Sequence, residues 1–173
     1  LQDKDPFDYA KVERKIPASK ELKVSFDLKA GQNNKGTLQI EFLDENGIAC
    51  SRMELTDDGI FRLKGGSRFA NMMKYEAGKV YHVEAVLSTV DRNIQVYVDG
   101  KRVGLRMFYA PVAAVERIVF RTGVPRTFPT VDTPADQTYD LPNAGAQDPL
   151  AEYGIANVKT SSTDKDASSA FLK

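Results

Sequence analysis

The sequence predicts an all-β protein, an antiparallel β-sandwich, and three observations carry that prediction. Apolar residues recur at every second position in one segment after another, the mark of strands that bury a single face. Turn-forming residues separate those segments at intervals of about 8–12 residues, the spacing of an all-β domain. Helical periodicity is nearly absent. The clearest stretch is 75–103. There Tyr81, Val83, Ala85 and Leu87 share one parity, and Ile94, Val96 and Val98 repeat it after the polar turn Asp91-Arg92-Asn93.

Nine strands follow from this reading: 9–16, 22–29, 36–43, 48–55, 60–64, 79–89, 93–99, 115–121 and 153–160. The second buries Leu22, Val24, Phe26 and Leu28, and leads through the polar loop 31–36 into the third, which buries Leu38, Ile40 and Phe42. Asp44-Glu45-Asn46-Gly47 then supplies a turn whose Asn-Gly pair tolerates positive φ. The fourth segment lacks a clear apolar parity. Asp57-Asp58-Gly59 turns the chain into the fifth, with Phe61 and Leu63 inward. The sixth and seventh form the long hairpin, closed at its far end by Asp99-Gly100-Lys101. Ile118 and Phe120 continue the buried set in the eighth. By the same parity Gln39, Glu41, His82, Glu84, Gln95, Tyr97, Arg117 and Arg121 point outward.

Length and composition bound the rest. The chain has 173 residues, enough for one domain spanning 1–160 with a full sandwich core. Lysine plus arginine and aspartate plus glutamate both number 24, so nucleic acid is not an expected partner, since phosphates require a basic surface. No apolar run approaches the ~20 residues of a membrane-spanning helix. The sequence opens on LQDKDPFDYA, which reads as a processed or excised start and leaves room for a secretory signal removed before it. The single Cys50 excludes an internal disulfide and suits a buried strand position. Residues 122–150 hold five prolines (Pro125, Pro129, Pro134, Pro142 and Pro149) and no strand period. Such a segment favours a stiff surface excursion, with Phe128 or Tyr139 as its expected anchor on the sandwich. The Ser-, Asp- and Lys-containing stretch 161–173 reads as a flexible tail or linker.

The order of these motifs resembles a known family. "V-S-F-D-L" at 24–28, "G-T-L-Q-I-E-F-L-D" at 36–44, the hairpin ending in "V-Y-V-D-G-K-R-V", "V-E-R-I-V-F-R-T-G" at 115–123 and the closing "Y-G-I-A-N-V-K" at 153–159 are similar to concanavalin A-like (laminin G-like) jelly-roll domains. Domains of this kind are appended to bacterial polysaccharide-degrading proteins. The resemblance implies that the last strand returns beside the first, 153–160 against 9–16, and brings both termini to one side. It implies a noncatalytic carbohydrate-binding or accessory module, located outside the cytoplasm. Its partners would be an oligo- or polysaccharide and a covalently linked neighbouring domain. The alternatives are a small polysaccharide lyase acting on uronate polymers and a purely structural spacer, because one fold hosts many functions. In "I-A-N-V", Ala156 stands where the family usually has Asp.

Carbohydrate sites combine planar hydrogen-bonding groups with a ring. The expected ligand set is therefore His82, Glu84, Gln95 and Tyr97 on the hairpin, together with Gln39 and Glu41. Tyr97 would stack and the others would meet hydroxyls. A glycosidase needs two facing carboxylates roughly 5–10 Å apart, and in Glu41-Phe42-Leu43-Asp44 the two point to opposite faces. A lyase would use His82, Tyr97, Gln95 and an arginine, Arg52 or otherwise Arg117 or Arg121, to remove a proton beside a carboxylate and stabilise the resulting charge. No cofactor is called for. Calcium is the one metal for which ligands exist, Asp57 and Asp58 or Asp132, Asp136 and Asp140, since it takes loop oxygens. One His and one Cys disfavour zinc.

Overall fold

The computed structural model describes residues 1–4, 9–123 and 150–162. Strands β1 (Gln2–Asp3), β2 (Lys11–Ser19), β3 (Glu21–Ala30), β4 (Leu38–Leu43), β5 (Ala49–Leu55) and β6 (Ile60–Gly65) come first. They are followed by β7 (Arg68–Lys74), β8 (Val80–Ser88), β9 (Asn93–Val98), β10 (Lys101–Met107), β11 (Val115–Thr122) and β12 (Ala151–Ser162). Two six-stranded sheets result, ordered β1-β12-β3-β8-β9-β10 and β2-β11-β4-β5-β6-β7. All pairings are antiparallel.

The inward parity of each sheet meets that of the other. Phe26 of β3 and Phe120 of β11 stand edge to face, with centroids 5.1 Å apart at 86°, the arrangement ring quadrupoles favour. The predicted core set from β3, β4, β6, β8, β9 and β11 is buried throughout. Cys50 is buried with it, and burial pushes its thiol pKa up to about 12, so the side chain behaves as an inert apolar group. The hairpin closes through Asp99 and Gly100, both at positive φ (50° and 79°), the signature of the Asp-Gly turn read from the sequence.

Three expectations need correction. The last strand does not pair with 9–16. β12 lies between β3 and β1, while β2 pairs with β11 in the opposite sheet. The reason is that the first residues of the chain take the place beside β12. The Leu1 ammonium donates to the Tyr153 carbonyl at 2.7 Å, and Gln2 stands opposite Glu152. β2 and β12 instead face each other across the side of the sandwich, where Arg14 Nη1 donates to the Val158 carbonyl at 2.5 Å. Second, besides the short β1, β7 and β10 join the nine predicted strands. Both are edge strands with mixed burial, and Gly104 interrupts the alternation of β10. Third, β12 runs on through Ser161 and Ser162, which pair with Lys23 and Leu22, two residues into the expected tail. The expected anchors Phe128 and Tyr139 lie outside the described residues.

The fourth predicted segment, β5, is buried at every position. Met53 and Leu55 enter the core, while Arg52 and Glu54 are buried on the outward side; the apolar parity is interrupted at the start of the strand, where the register shifts between Phe42 and Leu43 and leaves Cys50 in a bulge.

Candidate functional site

The six predicted ligand residues fall on the two opposite outer faces. His82 and Glu84 of β8 and Gln95 and Tyr97 of β9 do share one surface: Glu84 stands opposite Tyr97, and Val86 opposite Gln95. Their polar atoms are committed to neighbours. His82 Nδ1 lies 2.7 Å from Asp27 Oδ1, and Asp27 Oδ2 accepts from Asn157 Nδ2 at 2.6 Å. Those two hydrogen bonds, Asn157 first, hold the Asp27 carboxyl below its ordinary pKa. Asn157 reaches it from a positive-φ position (53°) in the β12 bulge. Glu84 pairs with Lys23 at 2.7 Å, and the Tyr97 hydroxyl donates to Gln95 Oε1 at 3.0 Å.

Gln39 and Glu41 lie on the other face, and the register builds two polar rows around them. One runs Arg121–Gln39–Glu54–Arg62–Asn71 across β11, β4, β5, β6 and β7. Beside it runs Val119–Glu41–Arg52, with Lys64 opposite Phe69 further along. Arg52 Nε donates to Glu41 Oε1 at 2.7 Å, and Arg62 Nη2 to Glu54 Oε1 at 2.8 Å. Arg121 Nη2 donates to Gln39 Oε1 at 2.5 Å.

Rings are interleaved with the cations. The Arg62 guanidinium sits 4.3 Å from the Phe69 centroid, and Lys64 Nζ lies 4.3 Å from the Tyr109 centroid. Tyr109 is set there by its backbone N–H, which donates to the Cys50 carbonyl at 3.0 Å. It packs on the small cluster of Leu43, Ala49 and Val119.

Gln39, Glu41, Arg52 and Glu54 form a buried layer, with Arg62, Lys64, Phe69 and Tyr109 half-buried above it and Asn71 exposed. Burial lowers the pKa of Lys64, and the Arg52 charge lowers it further; burial also raises that of Tyr109. Among the described residues, four buried atoms of this face have no hydrogen-bond partner: Gln39 Nε2, Glu54 Oε2, Arg62 Nε and the Tyr109 hydroxyl. Native interiors leave few such atoms, and each calls for an explanation.

The lyase arrangement is not formed. Arg52 belongs to β5, in the opposite sheet from His82, Gln95 and Tyr97, and Arg117 and Arg121 on β11 are on that same wrong side. Glu41 is committed to Arg52, while Asp44 Oδ1 accepts from the backbone N–H groups of Asn46 and Ile48 in its own turn, at 3.0 and 2.8 Å. Asp57 and Asp58 occupy the β5–β6 turn, where Asp58 accepts from the Thr56 hydroxyl. Among the described residues no group of three His, Cys, Asp or Glu side chains could hold a metal ion. Asp132, Asp136 and Asp140 lie outside those residues.

Sequence reasoning named Gln39, Glu41 and Arg52 but passed over Glu54, Arg62, Lys64, Asn71 and Tyr109. The available signal was the charged pair Arg52 and Glu54 in the fourth segment, on the same outward parity as Gln39 and Glu41 of the third.

Residues 1–137 match the family model described as Sialidase-like, CBM domain. None of the curated proteins matches the chain. Among solved structures, a sialidase superposes on the whole chain with a TM-score of 0.87 and 89% identity, and the chain spans 16% of that sialidase's length. Sheep galectin-11, in complex with glycerol, covers 86% of the chain and matches over 96% of its own, with a TM-score of 0.54 and 14% identity. Trypanosoma rangeli sialidase covers 81% of the chain with 20% of its own, at a TM-score of 0.51 and 16% identity. At such identities the last two speak for the fold alone. The sandwich, its jelly-roll likeness and the family match over most of its length together place this chain in the sialidase-like CBM-domain family, as a noncatalytic carbohydrate-binding module of concanavalin A-like fold.

Proposed function

We propose that the module binds glycan on the outer face of β4, β5, β6 and β7, with Arg62, Lys64, Asn71 and Tyr109 as contacts. Gln39, Glu41, Arg52 and Glu54 form the layer that fixes those contacts in place. The observation that carries this reading is the set of unpartnered buried atoms on that face, donors and an acceptor of the kind sugar hydroxyls satisfy. The hairpin face offers fewer open groups, because its polar side chains already bond one another. We further propose that the module is covalently continuous with a glycan-processing protein outside the cytoplasm. The 89% identity to part of a sialidase supports a parent of that kind, and no helix among the described residues is long and apolar enough to cross a membrane.

The test is glycan-array binding by the whole chain and by three variants. Arg62→Ala and Tyr109→Ala should each weaken binding by about tenfold or more, the scale of a truncated hot-spot side chain. Tyr97→Ala should leave it unchanged. The opposite pattern, with Tyr97→Ala abolishing binding and the other two harmless, would move the site to the hairpin.

A further inference from the structure

We infer that the open edge of β10 receives an extended, acidic segment of the parent polypeptide, added to the sheet as one further strand. The inference concerns the side of the sandwich rather than the glycan face and does not depend on that face.

The backbone gives the first argument. β10 ends its sheet with β9 as its single strand neighbour. An edge strand offers a row of unpaired N–H and C=O groups along its outer side, and an extended peptide is the ligand that matches such a row. From Gly104 to Met107 the pairing with β9 is regular, so the outer side can continue the ladder without a break.

Charge gives the second. β10 carries Lys101, Arg102 and Arg106 and no acidic residue. β7, an edge strand of the other sheet, carries Arg68 and Lys74 and again no acidic residue. The whole chain is neutral, so these cations are a local excess. None of them has an ion-pair partner among the described residues. The two strands approach at this side: a Cβ at Gly104 would lie 2.7 Å from Met72 Sδ. Asn71, Met72, Arg102 and Arg106 border a cleft of about 330 Å³ between them.

Cations on an edge repel a second copy of the same edge, and they select a partner of opposite sign. Defence alone does not account for the apolar residues between them. Leu105 and Met107 are 45% and 58% exposed. They stand opposite Gln95 and Asn93 on the outer face, where a neighbouring strand would cover them. Arg106, opposite the core residue Ile94, lies on the cleft side instead. The segment that fits therefore alternates carboxylates toward the cleft with apolar side chains beside Leu105 and Met107. The chain spans 16% of the sialidase it matches at 89% identity, so a parent of that kind has ample chain outside the module to supply the strand.

The experiment titrates the whole chain with three short blocked peptides: alternating Glu and Val, alternating Lys and Val, and the Glu-Val peptide methylated at its backbone nitrogens. The Glu-Val peptide should bind about tenfold or more tighter than either of the others and slow amide exchange at 101–107. The double variant Arg102→Gln, Arg106→Gln should weaken it about fivefold or more, the scale of two exposed ion pairs. In the parent polypeptide, amides 101–107 should exchange more slowly than in the isolated chain. Equal binding of the Glu-Val and Lys-Val peptides, no binding of either, or protection away from β10 overturns the inference. Undiminished binding of the methylated peptide overturns it too, by making the edge a surface for polyanions of any kind. Equal exchange at 101–107 in parent and isolated chain overturns the parent as the source of the strand. Should the double variant fail to fold, the wild-type peptide comparison decides alone.

Discussion

Gly36 shows how one atom holds two parts of the sandwich in contact. It sits at φ +68°, and a Cβ built there would lie 2.4 Å from the Cβ of Ala151 and 3.1 Å from the Tyr153 hydroxyl. The loop between β3 and β4 is thereby pressed against the start of β12. Gly36→Ala adds a steric clash to a backbone conformation that side chains resist, and should cost ~1–3 kcal/mol. Thermal unfolding would show it as a midpoint lowered by roughly 2–10 °C; an unchanged midpoint would mean that the loop can lift away from β12 freely. The glycine was visible in the sequence as the end of a turn-rich loop. Its neighbour Ala151 was not, because 115 residues of chain separate them and parity carries no information about distant partners.

At the scale of elements, the strands legible in the sequence are those with a clean inside and outside. β3, β8 and β9 bury one parity and could be read directly; β4 is buried throughout but keeps its apolar residues Leu38, Ile40 and Phe42 on one parity. β7 and β10 close their sheets with a neighbour on one side only and mixed burial, so the period-two signal fades in them. β5 was read as a strand at 48–55, but without an apolar parity. It carries charge on a side that is itself buried, and Glu41–Arg52 is the pair that makes this tolerable, with side-chain exposures of 5% and 3%. Removing one partner of a buried ion pair leaves the other charge uncompensated. Glu41→Ala takes away the carboxylate that Arg52 contacts at 2.6 Å and Arg121 approaches at 3.9 Å, and should cost about 3 kcal/mol or more. Urea unfolding of Glu41→Ala beside the double variant Glu41→Met, Arg52→Met checks the cause. The double variant should recover part of the loss if the stranded charge is responsible.

The whole molecule should be sensitive to alkali. Burial raises the pKa of Tyr75 from 10.0 to about 12, with its hydroxyl donating to the Thr56 carbonyl at 2.7 Å. Burial pushes Tyr109 and Tyr153 upward as well. In the unfolded chain these phenols ionise near pH 10, whereas the fold keeps them protonated. Between those values the unfolded state holds fewer protons than the native one, so stability is full below about pH 10 and falls as pH rises above it. Denaturant unfolding at pH 8 and pH 11 measures the difference; equal stability at both would show that the phenols ionise without unfolding. The sandwich as a class was legible because alternation and turns are local. The division of Gln39, Glu41 and Arg52 from His82, Gln95 and Tyr97 was not, because sheet membership is decided by pairings far apart in sequence. That division also bears on how the module can be altered. Stacked sheets lie about 10 Å apart, and changes separated by such a distance with no shared partner combine nearly additively. The apolar layer therefore works as an insulator: the hairpin side can be redesigned, labelled or attached to a surface while the opposite side keeps its chemistry.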